Sequence, residues 1–480
     1  MLKSRLCIAF FAFAVGCAPA QKPLTDYVNP MLGTATLWDS VDLGFKPTKR
    51  TWGAEVFPGS SLPNAMVQVS PVTKFHSGAG YQYEDSVIYG FTHTNKGHWN
   101  LCHIPLLPVT GTPTPGDYCS PFSHERESAA PGYYQVFLDR YGVDAQLSST
   151  LRCAFHKYTY PAGAAASLLA DLQRSNEHVR AWDIRKEGDN VFAGWQQTGE
   201  KMYFYAVANR PVTGIEPVVE GDREVRIVRF GEGDGALELR IGFSFVSEKN
   251  ARENLEAEML GKSFAEVRSE ATATWNDLLG RIRVEGGTER EKGLFYSSLY
   301  RSFLWPALRS DVNGEFTDVD GKVINPGFRY YTGPSYWDDY RNKLILLGML
   351  APDVAADVIS SDTDKGEKRG GFMPTFFHGD HASAFVAGTY LRGNRGFDVN
   401  RAYNLVLRNA TVQGPSRPWL DEYIAKGYIS EMDVENPVTW TVCKAAVTKT
   451  LEYSYDDYAV ALLADALGDK ENHEIGRAHV

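Results

Sequence analysis

The sequence predicts an exported protein in two parts: an N-terminal antiparallel β-sandwich, then linker helices leading into an α/α toroid or bundle. Three observations carry this. The chain opens on a basic stretch and a short apolar run. Residues from about 24 to 250 alternate apolar and polar in short segments between turn residues. From about 251 the apolar spacing becomes helical and stays so. At 480 residues, 43% hydrophobic and 22% charged, the chain has material for more than one core.

The opening "MLKSR" followed by "LCIAFFAFAVG" is a signal for export, too short in its apolar part to span a membrane stably. Two processing sites fit. Ala18-Pro19-Ala20 reads as an A-x-A cleavage site, giving a signal peptide over 1–20. "AVGC" resembles a bacterial lipobox, which would leave Cys17 acylated and the protein tethered to a membrane. Either route predicts a periplasmic, outer-membrane or secreted bacterial protein. Loss of the signal removes Lys3 and Arg5 and no acid, so the net charge moves from −10 to −12. An acidic exported chain is a poor nucleic-acid binder. Cys102, Cys119, Cys153 and Cys443 remain; the compartment permits disulfides, and buried free thiols fit equally well.

The sandwich is expected over 24–252. "AMVQVSPV", "KMYFYAVAN", "EVRIVRF" and "LELRIGFSFVS" are its strand-like segments, punctuated by Gly, Pro, Asn and Asp. Linker helices are expected over 253–285, where Leu255, Met259, Phe264, Val267, Trp275 and Leu279 recur at helical spacing with a break at Gly261. Helices then dominate 286–473, with Phe295, Leu299 and Phe303 on one face before Pro306. Twenty-five Tyr and ten Trp suit sugar stacking, but equally a packed β-rich core.

Motifs for phosphate binding, zinc proteolysis and the serine-hydrolase elbow are absent. "DVNGEFTDVDG" (311–321) fails the EF-hand pattern and reads as two tight turns. "FTHTNKGHWNLCH" (91–103) fits either a loop gripping a polar ligand through His93 and Trp99 or a strand-flanking loop with satisfied histidines. In "SYWDDYR" (335–341), a helix cap is the favoured role for Asp338; a sugar platform of Trp337, Asp338 and Arg341 is the other. "KTLEYSYDDYAVALLADALGD" (449–469) puts Glu452 and Asp456 one turn apart beside apolar and aromatic side chains, with Leu451, Tyr455, Tyr458 and Leu462 as an overlapping stripe. A carboxyl so placed is expected to hold its proton near neutrality and act as a general acid; a solvent-facing acidic helix is the alternative.

"TLEYSYDDYAVALLADALG" resembles a helix of family 92 glycoside hydrolases. Other blocks agree in order: "FPGSSLPNAMVQVSPVT", "GYQYEDSVIYGFTHT", "LLPVTGT", "LFYSSLYRSFLWP", "SDVNGEF", "SYWDDYR" and "HASAFVAGTYLRG". The resemblance runs from about Tyr27 to Asp469 and implies a β-sandwich, linker helices and an (α/α)6 barrel. It also implies a calcium-dependent, inverting exo-α-mannosidase acting on mannose-containing oligosaccharides, most often at α-1,2 links. By the motif match Glu452 would be the general acid. Trp337, Asp338, Arg341 and His381 would bind mannose, with His93 and Trp99 on the sandwich loop that reaches the site; the metal ligands stay unassigned. The loop "NKGHWNLCHI" departs from the family's Gly-rich run, so the linkage preference is open. The acidic segment that supplies the general base in the family is expected beyond residue 480, which makes the barrel here incomplete. The final "EIGRAHV" (474–480) can be encoded by a sequencing-adapter read, and a chain broken at that read is the expectation. A glycan-binding relic of the same fold is the other functional reading.

Overall fold

The computed structural model describes residues 22–36, Gly44, Ala54, 56–94, 101–431 and 444–477. The export signal with Cys17, the loop residues His98 and Trp99, and Cys443 lie outside the described residues. Among the described residues, Cys102, Cys119 and Cys153 form no disulfide.

Two antiparallel sheets form the N-terminal half. One runs Ser60–Ser61, Gln68–Val72, Gly90–Thr92, Leu106–Val109, Ser167–Ala170, Arg223–Phe230, Val212–Glu220. The other runs Ala181–Lys186, Val191–Gln197, Lys201–Ala208, Leu237–Ser244, Cys153–Thr159, Val143–Ser149, Tyr133–Leu138, Glu127–Ala130. Strand periodicity does the sorting. In Lys201–Ala208, Met202, Phe204, Ala206 and Ala208 are buried while the residues between them are half-buried. Side chains from both sheets join one core, for example Val69, Leu107, Leu168 and Ile227 with Leu147, Phe204 and Ile241.

The helical half begins at α1 (Glu248–Glu258), capped by Ser247, and α2 (Phe264–Leu279). A reciprocal capping box starts α2 between Ser263 and Glu266, and another starts α3 (Glu289–Ser302) between Thr288 and Glu291. All six apolar residues expected on the linker face are buried. There follow α4 (Tyr336–Asp339), α5 (Lys343–Leu350), α6 (Pro352–Lys368), α7 (Ala382–Leu391), α8 (Val399–Thr411), α9 (Leu420–Lys426) and α10 (Ala446–Leu467). Helix α10 packs against α7 and α8 and ends at Gly468, whose φ of 79° is the left-handed cap that glycine adopts without strain. Among the described residues no single helix is long and apolar enough to cross a membrane.

The halves are clamped by hydrogen bonds. Trp275 donates its indole N–H to the Ser61 carbonyl at 2.7 Å, and Gln68 donates its amide to the Leu304 carbonyl at 2.7 Å. The 311–321 stretch forms the two expected turns, at Gly314 and Gly321, but its first residue has a further use. Asp311 is buried and accepts hydrogen bonds from Ser244 (2.6 Å), Asn250 (2.9 Å) and Asn254 (2.7 Å), tying sandwich, α1 and the following loop together. Burial raises its pKa, and these donors offset part of that cost.

His93 is placed differently from the ligand-gripping reading. Its ring is fully buried in the sandwich, with Nε2 3.0 Å from His156 Nε2 and the ring 4.6 Å from that of Phe243. No part of it faces solvent, so direct contact with a sugar is not available to it. His156 in turn meets the Tyr158 hydroxyl at 2.6 Å. Burial depresses both rings, His93 to about 3 and His156 well below the usual value, so both are neutral in the folded protein at pH 7.

A histidine depressed on folding supports stability above its unfolded pKa, and that support is lost as pH falls toward the folded value. For His93 the loss begins near pH 6.5 and amounts to about 1.4 kcal/mol per pH unit below it. Unfolding free energies by urea titration at pH 7 and pH 5 should therefore differ less in His93→Asn than in the unmutated chain, by about 2 kcal/mol. An identical pH dependence in both proteins would contradict the neutral burial of this ring.

Candidate active site

Helix α10 divides its residues by exposure. Lys449, Tyr453, Asp456, Asp457, Val460 and Leu463 are buried, whereas Leu451, Tyr455, Tyr458 and Leu462 face outward. Glu452 stands at the border with its side chain 12% exposed. Its Oε2 accepts the Tyr340 hydroxyl at 3.2 Å, and its Oε1 accepts Arg341 Nη2 at 3.3 Å. His381 Nε2 lies 3.4 Å from Oε2, outside hydrogen-bond alignment. The Arg341 side chain is 58% exposed, so this ion pair orients the carboxylate more than it stabilises the fold.

His381 arrives from the turn before α7. Gly379 has φ +86°, and a Cβ there would stand 2.9 Å from Glu452 Cβ and from the His381 ring. Only glycine lets this turn approach α10 so closely. The imidazole is fully buried, stacked on the Tyr340 ring at 3.8 Å and 11°, with Nδ1 2.9 Å from Asp456 Oδ1. The other Asp456 oxygen accepts the Asp380 backbone N–H. Asp380 accepts Ser383 at 2.8 Å and Asn409 at 3.0 Å. Burial pushes Asp380 up to about 7; Arg417 opposes the rise and the Asp456 charge adds to it. Arg417 is itself fully buried, donating to Asp457 and lying 3.4 Å from Asp380. Burial disfavours its charge, and Asp457, Asp380 and Asp456 more than offset that.

Trp337 stands edge-on to Phe377 and to His378, each 6.1 Å away, and its buried indole N–H has no hydrogen-bond partner. His378 Nδ1 accepts from Lys449 at 3.2 Å; burial, then the Lys449 charge, lower its pKa. In the "WDD" stretch it is Asp339, not Asp338, that serves the helix start. The Ser335 N–H donates to Asp339 Oδ2 at 3.2 Å, and Lys343 pairs with the same oxygen. Asp338 is exposed and does not make this cap.

The fold thus gathers Glu452, Trp337, Asp338, Arg341 and His381 on neighbouring elements and leaves His93 in the sandwich core. Tyr340, Gly379, Asp380 and Arg417 were not singled out from sequence. For Gly379 and Asp380 the "HGDH" run at 378–381 was the available signal, since a glycine between two polar residues before a helix marks a tight turn; Tyr340 and Arg417 carried none. Among the described residues no group of three or more His, Cys, Asp or Glu side chains is arranged to hold a metal ion, so the calcium expectation finds no ligand set there.

The chain matches the family model of the glycosyl hydrolase family 92 N-terminal domain over residues 27–253 and that of the family 92 catalytic domain over residues 250–477. An uncharacterized secreted glycosidase of Arthroderma benhamiae is 25% identical, over 93% of this chain and 60% of that protein. The structure of a family 92 α-mannosidase from Bacteroides thetaiotaomicron is 26% identical and aligns with a TM-score of 0.84, over 96% of this chain and 64% of its own. The same enzyme has been solved with mannoimidazole, at 27% identity, a TM-score of 0.84, and coverage of 95% and 63%. An inverting family 92 mannosidase of that bacterium shares the fold, with a TM-score of 0.81 at 24% identity over 95% of this chain and 64% of its own. The chain therefore spans roughly three fifths of the length of these relatives. Matched nearly end to end by the two domain models, it belongs to glycosyl hydrolase family 92.

Proposed function

We propose that the chain is the sandwich and the acid-bearing part of an exported α-mannosidase that removes terminal α-linked mannose, α-1,2 links foremost, with inversion. The observation that carries this is the Glu452 carboxyl. It is mostly buried, yet borders the surface within reach of Tyr340, Arg341 and His381. Trp337, with its unpartnered N–H, lies on the neighbouring turn. The mannoimidazole complex of the related mannosidase supports mannose as the sugar.

In this reading Glu452 gives its proton to the glycosidic oxygen as the C–O bond breaks and the bonding pair leaves with that oxygen. Trp337, Asp338 and Arg341 hold the mannose by stacking and hydrogen bonding. Inversion needs a second carboxylate about 6.5–9.5 Å from the first, across the sugar, to deprotonate water. We assign that base, with the rest of an (α/α)6 barrel, to the part of the relatives' length that this chain does not span. Export, by a cleaved signal or a lipidated Cys17, belongs to the same reading and is supported by the secreted relative. A calcium requirement also belongs to it; no step here passes through the ion. In the active gene product, chelation with EDTA should abolish mannose release and added calcium should restore it.

In the same protein, Glu452→Gln should lower kcat on mannobiose by about 10²–10⁴-fold and on aryl mannosides far less, because a good leaving group needs little proton assistance. Equal losses on both substrates would remove Glu452 from the acid role, and binding of mannobiose with no turnover in the unmutated protein would favour the glycan-binding relic.

Asp338→Ala should weaken kcat/KM by about 10–100-fold, the worth of a charged hydrogen bond to substrate, with Tm almost unchanged. Asp339→Ala should instead lower Tm, since it removes the acceptor of Ser335 and the partner of Lys343. A drop in Tm for Asp338→Ala as large as that for Asp339→Ala would return Asp338 to a structural role.

A further inference from the structure

The i, i+4 spacing of Glu452 and Asp456 would bring two carboxylates together, but a side chain from 70 residues upstream stands between them. His381 faces Asp456 through Nδ1 and Glu452 through Nε2. Its state follows from the hydrogen bonds of Asp456. One oxygen of that carboxylate accepts the Asp380 backbone N–H, and the other meets His381 Nδ1 at 2.9 Å. An ionised carboxylate offers only acceptors, so an Asp456 that already accepts the Asp380 N–H assigns the proton of this contact to Nδ1. The ring has little freedom to turn. Tyr340 covers one face at 3.8 Å, Tyr455 approaches edge-on at 6.3 Å, and Gly379 removes the space a side chain would take behind it.

We infer that His381 is a positioning residue for the proton donor. Asp456 and Tyr340 hold its ring so that its Nε2 edge packs against the inner oxygen of Glu452, Oε2, at 3.4 Å without a hydrogen bond between them. Tyr340 donates to that same oxygen, so one aromatic ring serves as both the platform for the histidine and the second anchor of the acid. With Oε2 bonded to the Tyr340 hydroxyl and walled in by the His381 ring, Oε1 is directed to the side where the exposed Arg341 stands, and this is the oxygen left to meet a glycosidic oxygen. His381 thus acts on the reaction through Glu452 rather than by touching mannose, which departs from the sugar-binding role implied for it by resemblance. Effective general acid catalysis depends on this kind of fixed approach, because a displacement of about 1 Å costs on the order of 10²-fold in rate. The inference rests on the proposed function, since it assigns the support of the same acid.

The test has two arms. In the unmutated protein labelled with ¹⁵N-histidine, long-range ¹H–¹⁵N correlation reads the protonation of each ring nitrogen. The ring whose signals move in Glu452→Gln should carry its proton on Nδ1; a ring protonated on Nε2 alone, or no ring responding to Glu452→Gln, overturns the inference. In the active gene product, Asp456→Asn and His381→Asn should each lower kcat on mannobiose by about 10–100-fold with KM within about twofold, and lower kcat on aryl mannosides much less. Variants that lose only Tm, or that lose both substrates equally, also overturn it. If the variants do not fold, the unmutated ring still decides. If the unmutated protein cleaves no mannoside, the functional reading falls, while the Nδ1 measurement still stands or fails by itself.

Discussion

The buried guanidinium of Arg417 is the constraint on which the site depends. A cation taken fully out of water is tolerated only where opposite charge and hydrogen bonds surround it. Asp457 supplies both charge and a hydrogen bond, Asp380 supplies charge 3.4 Å away, and Asp456 lies close behind. The three carboxylates come from two elements, α10 and the turn before α7, so the cation pins those elements together. The excess of negative charge is relieved locally. Asp380 is pushed up to about 7, and Asp456 shares its two oxygens between a backbone N–H and an imidazole. Removing one partner would leave an uncompensated buried charge, which costs far more than the net worth of the cluster. The cluster is therefore better understood as fixing geometry than as adding stability.

What it fixes is the approach of the 378–381 turn to Glu452, and the same logic recurs between the two halves. Asp311 is a second buried carboxylate satisfied wholly by neutral donors, from Ser244, Asn250 and Asn254. It couples the last long strand of the sandwich to α1 and to the loop running toward α4. With Trp275 bonded to Ser61, and Asn64 bonded through its amide to the Pro306 carbonyl at 2.8 Å, the sandwich serves as the bed on which the helical half is laid. The sandwich lends no described side chain to the Glu452 cluster.

Which parts of this were legible in the sequence follows from the range of the interactions involved. Strand alternation, as in Lys201–Ala208, and the apolar face from Leu255 to Leu279 are local patterns, and burial followed them. The position of Glu452 beside a buried face was legible because helix phase is local too. The pairing of Glu452 with Asp456 was misjudged in its consequence. Phase says that two side chains are neighbours but not what a distant turn inserts between them, and here the insertion is His381. Asp338 and Asp339 show the same limit at smaller scale. Adjacent acids at a helix start look equivalent in sequence, and only the direction of the Ser335 N–H separates the cap from its exposed neighbour. For His93 the sequence left a ligand-gripping loop and a loop of satisfied histidines equally open, and the second is what the structure holds. Its burial depends on His156, 63 residues away, accepting it as a partner.

The cross-section of α10 sets Glu452 apart from the acids a turn further on, Asp456 and Asp457. On one side Asp456 and Asp457 are committed to His381 and Arg417, with no access to solvent. On the other side Leu451, Tyr455, Tyr458 and Leu462 stand 67%, 46%, 56% and 37% exposed and carry no carboxyl group. Glu452 lies where the two faces meet. It is close enough to the committed face to be held by groups that are themselves held, and close enough to the surface for a sugar to reach one of its oxygens. A shift of one residue along the helix would turn a carboxyl by about 100°. At 451 it would be solvated and loose; at 453 it would point at the Pro418 carbonyl that the Tyr453 hydroxyl now satisfies, where a carboxylate has nothing to gain. Helical phase, set by the buried charges a turn away, thus gives Glu452 orientation and access together.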